Sequence, residues 1–305
     1  MKVLVTGGTG FLGKHVLVAL KSAGHEATGT GSAEANLESH SLALRLLQTH
    51  KPEVVGHLAA QVGGIMANRA APGSFWQSNT LMGVNVLDAC LATRVKRVVV
   101  IGTTCSYPRV PKQIPFVEEE LFEGYPEETN APYGMAKRNL IVGALTYRKQ
   151  FGLDCVAVVP TNLYGVGDNF DDKTSHVIPA LLSKMHWAAL KKEKSVTVWG
   201  TGKPTRDFLN ATDAARGIVL AMEKGPGGSV INLGSGEETR IRDVVEMAQA
   251  VTKFKGTVQY DHSYPDGQPR RVLDIHRAHD LLGWEPTVEL FEGMCNTFDW
   301  WRNRG

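Results

Sequence analysis

Lys2-Val-Leu-Val-Thr6-Gly7-Gly-Thr-Gly10-Phe-Leu-Gly13 is the stretch on which the fold turns. Lys2 to Thr6 is a short, nearly unbroken apolar run, which reads as a strand buried on both faces, as in a parallel sheet. Three glycines spaced Gly-x-x-Gly-x-x-Gly follow at once, and a helical pattern runs from Lys14 to Ala23. Strand, glycine turn and helix in that order are the context of a dinucleotide-binding turn. The glycines allow a tight turn and a close backbone approach to a pyrophosphate, which would rest on the helix N-terminus. A glycine triplet alone could be a structural turn; one opening an alternating α/β chain points to the dinucleotide.

Outward from this turn the alternation continues. Strands are expected at His25–Thr30, Pro52–His57, Arg97–Ile101 and Asp154–Pro160. Helices are expected near Ser41–Thr49, Asn79–Thr93 and Gly134–Tyr147. With about six strands, the pattern predicts an α/β chain with a doubly wound parallel Rossmann sheet. That domain would span residues 1–167, with a return segment near 206–232. Residues 168–305 would form a smaller mixed α/β C-terminal substrate domain. Its expected elements are a helix over Val177–Leu190, a strand at Ser195–Trp199, a helix over Ala211–Lys224 and a strand at Val230–Leu233. A helix at Ile241–Thr252, a strand near Val258 and helices at Ile275–Leu282 and Leu290–Trp301 complete it.

Composition excludes several function classes. The chain has 305 residues, 43% hydrophobic and 21% charged, which is ordinary for a globular protein. A net charge of +2, with basic residues scattered, gives no footprint for nucleic acid or an anionic membrane. Cys90, Cys105, Cys155 and Cys295 are far apart. They suggest neither a zinc site nor a disulfide frame, and a cytoplasmic location is expected. No metal is expected. Val3-Leu-Val5 is too short for the core of a signal peptide, and no apolar run approaches the roughly 20 residues of a membrane span.

The end of the second strand normally reads the cofactor ribose: Asp or Glu for a free 2′-hydroxyl, Arg for a 2′-phosphate. Gly29-Thr-Gly-Ser32 has neither. No carboxylate repels a phosphate there, and Ser32, Thr30 and Lys14 are candidates to hold one. In an open α/β sheet, ligands sit outside the carboxyl ends of the strands. Thr103 and Cys105 follow such an end, and the paired glycines of Gln61-Val-Gly-Gly-Ile65 suggest close approach to a ligand. In Asn130-Ala-Pro-Tyr-Gly-Met-Ala-Lys137, proline suits a first helical turn, and Tyr133 and Lys137 then share one helix face. A cation beside a phenol would lower its pKa. Alone, Tyr-x-x-x-Lys is common by chance, and a single cysteine is usually a small buried apolar residue.

Together, Gly7–Gly13, His57-Leu-Ala-Ala60, Thr103 and Tyr133-x-x-x-Lys137 resemble the extended short-chain dehydrogenase/reductase superfamily, over nearly the whole chain. Four longer strings narrow the likeness. Ala60-Gln-Val-Gly-Gly-Ile65, Cys105-Ser-Tyr-Pro108, Pro160-Thr-Asn-Leu-Tyr-Gly165 with Asp168-Asn-Phe170, and Ser175-His-Val-Ile-Pro-Ala180 resemble the GDP-L-fucose synthase family. Val198-Trp-Gly-Thr-Gly-Lys-Pro204 with Arg206, and Asp266-Gly267, fit the same family.

The resemblance implies NADP(H)-dependent 3,5-epimerisation and 4-reduction of a GDP-4-keto-6-deoxy sugar. Cys105 and His176 would be the acid–base pair, without the residues showing which is which. Tyr133 would give its proton at C4, Lys137 would tune it and hold the ribose, and Thr103 would bond the keto oxygen; the family often has serine there. The cofactor would run along Gly7, Thr9, Gly10, Phe11, Leu12 and Gly13, with Ser32 at its ribose. It would continue past Leu58, Ala59, Ala60, Tyr133 and Lys137 to Pro160, Asn162, Leu163 and His176. The GDP-sugar would meet Val62, Gly63, Gly64, Asn162, Trp199, Asp266 and the cations Arg206, Lys203 and Arg270. A homodimer through the helices at 79–93 and around Tyr133 is also implied. The rival expectations are an epimerase or reductase of another 4-keto sugar nucleotide and, more remotely, a non-catalytic NADP-binding regulator.

Overall fold

The computed structural model describes residues 1–171 and 174–304, with residues 65 and 66 described by backbone alone. Residues 172 and 173 of the polar loop Asp171–His176, and the Ile65 side chain, lie outside the described residues.

In chain order the first half holds β1 (Lys2–Thr6), α1 (Phe11–Ser22), β2 (Glu26–Thr30), α2 (His40–His50), β3 (Val54–His57), α3 (Ile65–Ala70) and α4 (Pro72–Ala92). Then come β4 (Arg97–Ile101), α5 (Ala131–Phe151), β5 (Asp154–Pro160), β6 (Asn162–Tyr164), α6 (Val177–Leu190) and β7 (Ser195–Trp199). The remainder is β8 (Thr205–Arg206), β9 (Phe208–Asn210), α7 (Ala211–Lys224), β10 (Val230–Leu233), β11 (Thr239–Arg240), α8 (Ile241–Thr252), β12 (Thr257–Asp261), α9 (His276–Leu282) and α10 (Leu290–Arg302).

The main sheet is parallel, in the order β10-β5-β4-β3-β1-β2. Its strands read as continuous apolar runs because both faces are covered. Val98 and Val100 of β4 join one core with α2, α4 and α5, whereas Val99 and Ile101 join the other with α1, α7 and α9. This is the period-two alternation of a strand applied to two apolar faces. Strand order reverses between β1 and β3, which opens a crevice beyond their carboxyl ends.

A third core packs α6, α8 and α10 around the parallel pair β7–β12. The segment after β9 returns to the sheet: β10 pairs with β5, and α7 lies beside α1. Buried Asp213 of α7 ties down the chain before α10. Its Oδ2 accepts the N–H groups of Thr287 and Val288, both at 2.9 Å, and its Oδ1 accepts the Thr287 hydroxyl at 2.8 Å.

Two boundaries depart from expectation. The helix expected near Asn79 starts at Pro72, which occupies the helix's first turn. Asn79 is therefore interior. Its buried side chain exchanges hydrogen bonds with the Gln61 backbone, both at 3.0 Å, so the loop before α3 is pinned to α4. Asparagine favours caps because it bonds nearby backbone, and here that capacity serves a distant loop. The short strand β6 after β5, paired in parallel with β9, was not among the expected elements.

Asp213→Ala is expected to remove the acceptor of the Thr287 and Val288 N–H groups and lower unfolding free energy by about 1–3 kcal/mol. Urea titration checks this, and a loss below about 0.5 kcal/mol would contradict it.

Candidate active site

The crevice at the carboxyl ends of β1, β3, β4 and β5 is a cleft of about 1720 Å³, closed on its far side by the start of α6 and the segments around β7 and β8. One end is the glycine turn. Gly7 has φ 72°, and a Cβ there would lie 2.7 Å from the Ala59 nitrogen. A Cβ on Gly13 would lie 2.2 Å from the Gly7 carbonyl oxygen. The turn therefore closes only with glycine at these positions. Gly10 caps α1 without any side chain, leaving the N–H groups of Phe11, Leu12 and Gly13 to face the cleft they line. This cradle fits a pyrophosphate. Thr9, Ser32, Leu58, Ala59, Ala60, Pro160 and Leu163 also line the cleft. Around Ser32 the lining continues through Thr30, Gly31 and Ala35 to Glu38, with no Lys or Arg among the described residues there. Lys14 does not line the cleft.

The floor is built from groups whose charge burial opposes. Thr6 Oγ1 lies 2.8 Å from His57 Nδ1, and burial, with the Lys137 charge second, pulls the imidazole down to about 3. His57 is thus neutral. Lys137 donates to the Ile101 carbonyl at 3.0 Å, and burial lowers its ammonium to about 8. Half-buried Tyr133 stands edge-on to Phe75, with ring centres 6.4 Å apart. Burial, and then the charge of Cys105, pushes the Tyr133 phenol above its ordinary value. The direction is opposite to the lowering by Lys137 that the spacing suggests, because burial of the phenol sets it. Tyr133 is therefore a protonated phenol, with a proton to give.

The first turns of α5 also hold the turn after β4. A Cβ on Gly134 would lie 2.1 Å from the Cys105 carbonyl oxygen. The Ser106 hydroxyl donates to the Gly134 carbonyl at 3.0 Å, and Arg138 Nε donates to the Ser106 carbonyl at 3.0 Å. Residues Thr104–Ser106 form a 3-10 turn whose start is capped by Thr103, which accepts the Cys105 N–H at 3.3 Å. The Thr103 hydroxyl keeps its own proton to donate. One rigid contact thus places Tyr133, Thr103 and Cys105 along the same wall.

Beside Cys105 lies Arg271, its Nη1 3.7 Å from the sulfur. Across the cleft, His176 is the N-cap residue of α6, its ring exposed to the cleft and its pKa lowered by desolvation. Val62, Gly63 and Gly64 line the same region, where Asn68 Nδ2 donates to the carbonyls of Gly63 at 2.8 Å and Gly64 at 3.2 Å.

Farther along, Trp199 stacks on Tyr264 at 4.3 Å and 6°, and it is 53% exposed. Lys184 Nζ lies 6.0 Å from the Trp199 ring centre. Asn162 Nδ2 donates to the Asp207 carbonyl at 2.8 Å. Arg206 lines the cleft but spends donors on the carbonyls of Thr205, Gln268 and Asp266; burial, then the Arg271 charge, lowers it to about 10. The Asp266 carboxylate accepts from the N–H and hydroxyl of Thr201, both at 2.7 Å, so it braces the Gly200–Lys203 turn.

Two expected cations are elsewhere. Lys203 and Arg270 do not line the cleft, and Arg270 is bound by Glu238, with both contacts at 2.6 Å. Arg271 takes the inward place. In extended chain, neighbours face opposite sides, so Arg270-Arg271 must send one guanidinium in and one out. Lys184 and Gln268 were likewise missed; as a lysine on a helix and a glutamine in a loop, they carry no motif.

Gly134→Ala is expected to force α5 off the 104–106 turn, lowering stability by about 1–3 kcal/mol and changing the rate at which iodoacetamide alkylates Cys105. Unfolding curves and peptide mass spectrometry check this; wild-type values for both would contradict the contact's importance.

Comparisons with known proteins agree with this geometry. Residues 3–234 match the model of the NAD dependent epimerase/dehydratase family. Probable GDP-L-fucose synthase 1 of Oryza sativa subsp. japonica is 37% identical over 302 residues, covering 98% of this chain and 92% of the rice protein. The crystal structure of a GDP-L-fucose synthetase from Naegleria fowleri bound to NADP superposes with a TM-score of 0.90 at 31% identity, over 99% of this chain and 92% of that one. A GDP-6-OMe-4-keto-L-xylo-heptose reductase from C. jejuni superposes with a TM-score of 0.94 at 27% identity, over 100% of this chain and 98% of that one. A dinucleotide cradle, a protonated tyrosine beside a buried lysine and this breadth of likeness lead to one conclusion: the chain belongs to the NAD dependent epimerase/dehydratase family.

Proposed function

We propose that this protein inverts C3 and C5 of GDP-4-keto-6-deoxy-D-mannose and reduces C4 with NADPH, giving GDP-L-fucose. The observation that carries this is the meeting of two chemistries in one cleft: a protonated phenol at Tyr133, and a thiol and an imidazole at Cys105 and His176. The fucose synthases among its relatives support the substrate, and the NADP-bound relative supports the cofactor. No carboxylate at Gly29–Ser32 repels a 2′-phosphate.

The C–H bonds at C3 and C5 are acidic because each adjoins the keto group. Cys105 takes the proton from one face, and His176 returns one to the other. Cysteine and histidine both exchange protons near neutral pH. Charge developing on the keto oxygen is met by the Thr103 hydroxyl and the Tyr133 phenol. When bound, the nicotinamide supplies hydride to C4. Tyr133 then gives its proton to the alkoxide, and its raised pKa keeps that proton available. Lys137, held by the Ile101 carbonyl, sits beneath as a partly desolvated cation suited to a ribose hydroxyl.

Arg206 and Lys184 would meet the diphosphate and Trp199 the nucleoside, in a part of the chain formed mainly by residues 168–305. A second copy would pack on α4 and α5, which expose Leu81, Val84 and Val142. Among the described residues no helix is long and apolar enough to cross a membrane, and the free cysteines suit a reducing cytoplasm.

The likeness to the C. jejuni reductase favours a second reading, reduction of another 4-keto sugar nucleotide. Cys105 and His176 separate the two, since reduction alone has no use for the pair.

Tyr133→Phe is expected to slow NADPH oxidation about 10²–10⁴-fold while deuterium from solvent still enters C3 and C5 of the keto sugar. Spectrophotometry and NMR read the two halves separately. NADPH oxidation at the wild-type rate would remove Tyr133 from the reaction.

A further inference from the structure

Arg271 is buried, yet its guanidinium is turned toward a sulfur. Nη1 lies 3.7 Å from Cys105 Sγ, and Nε donates at 3.0 Å to Gln268 Oε1. Gln268 is itself buried, and its Nε2 donates to the carbonyls of Pro108 at 3.3 Å and Arg109 at 3.0 Å. These carbonyls lie just downstream of Cys105, so the glutamine ties the arginine to the chain that carries the thiol. The Asp207 N–H donates to the Arg271 carbonyl at 2.9 Å, which fixes its backbone as well. Both ends of Arg271 are held, and the rest of its fork faces the sulfur; Arg206 of β8 and Tyr133 of α5 are the other ionisable groups near enough to interact with Cys105.

We propose that Arg271 is a positioning residue that holds Cys105 as the thiolate needed for proton abstraction, with Gln268 aiming the guanidinium. The inference rests on the reading of Cys105 as an acid–base group in the proposed reaction. Lysine or arginine beside a cysteine favours the thiolate, which is the reactive form. In the step itself the sulfur takes a proton from C3 or C5, an S–H bond forms, and the C–H electron pair moves into the bond to C4. The keto oxygen becomes the enolate oxygen. As the thiolate is consumed, negative charge moves from sulfur to that oxygen. Arg271 thus supports the reactant thiolate, while Thr103 and Tyr133 receive the charge afterwards.

The test is alkylation of Cys105 by iodoacetamide, followed by peptide mass spectrometry at pH 7 and pH 10, with Cys295 as internal reference. Cys90 and Cys155 are buried. Arg271→Gln is expected to slow Cys105 alkylation about tenfold at pH 7 and to leave it unchanged at pH 10, where the thiol ionises without help. A loss of access or packing would slow both. Arg271→Lys keeps a cation and is expected to stay within about threefold of wild type at both pH values. Gln268→Leu leaves the guanidinium but removes its brace, with about a threefold loss expected at pH 7 only. Should Arg271→Gln not fold, that Gln268→Leu result decides. A wild-type rate at pH 7 in Arg271→Gln or Gln268→Leu overturns the proposal, as does an equal loss at both pH values. Deuterium entry at C3 and C5 is measured on the same variants and should fall with the pH 7 rate. If alkylation responds as expected and deuterium entry does not, Arg271 holds the thiolate and the assignment of Cys105 as base is what fails.

Discussion

The contact on which the site depends is backbone against backbone. Gly134, in the first turn of α5, lies so close to the Cys105 carbonyl that one methyl group would collide with it. Everything reactive on that wall follows. Tyr133 precedes the contact and Lys137 lies one turn beyond it. Thr103 and Cys105 are on the other partner, locked by the Ser106 and Arg138 hydrogen bonds. A helix that could slide on the sheet would blur the spacing between the phenol and the thiol. Close backbone packing supplies the preorganisation that such a site needs.

The electrostatics of the floor are set by desolvation more than by pairing. His57 is held neutral, Lys137 is weakened and Tyr133 keeps its proton. In each, burial shifts the balance toward the uncharged form, completely for His57 and Tyr133 and partly for Lys137. Against that background the Arg271 guanidinium stands out, as a charge set 3.7 Å from the Cys105 sulfur. The wall therefore sets a proton donor, Tyr133, and a thiol, Cys105, within one cleft. A reductase alone would need only the first.

Much of the fold was legible in the sequence because both signals that specify it are local. Apolar runs bounded by glycine turns gave β1, β4 and β5, and the ends of α6, α7, β10 and α8 follow directly from periodicity. What escaped was set by distant partners. Asn79 was expected to begin a helix, but it lies inside α4 and bonds Gln61, eighteen positions away in sequence. β6 forms only because β9 comes back to it. At the site, the glycines and the Tyr133–Lys137 pair were readable from spacing, while the choice between Arg270 and Arg271 depends on which way an extended segment faces. The tyrosine's proton affinity was misjudged for a related reason: spacing shows a cation nearby but not how much water has been removed.

The central claim is that one cleft performs proton exchange and hydride transfer on the same sugar. Its most direct test is the isotopic pattern of a single product. Wild-type protein would be incubated with GDP-4-keto-6-deoxy-D-mannose and NADPH in deuterated water, and the product read by NMR. The account predicts GDP-L-fucose with deuterium at C3 and C5 and protium at C4, formed with equimolar NADPH oxidation. A reduced product with protium at C3 and C5 and the manno configuration retained at those centres would contradict it, leaving a reductase in which Cys105 and His176 take no part.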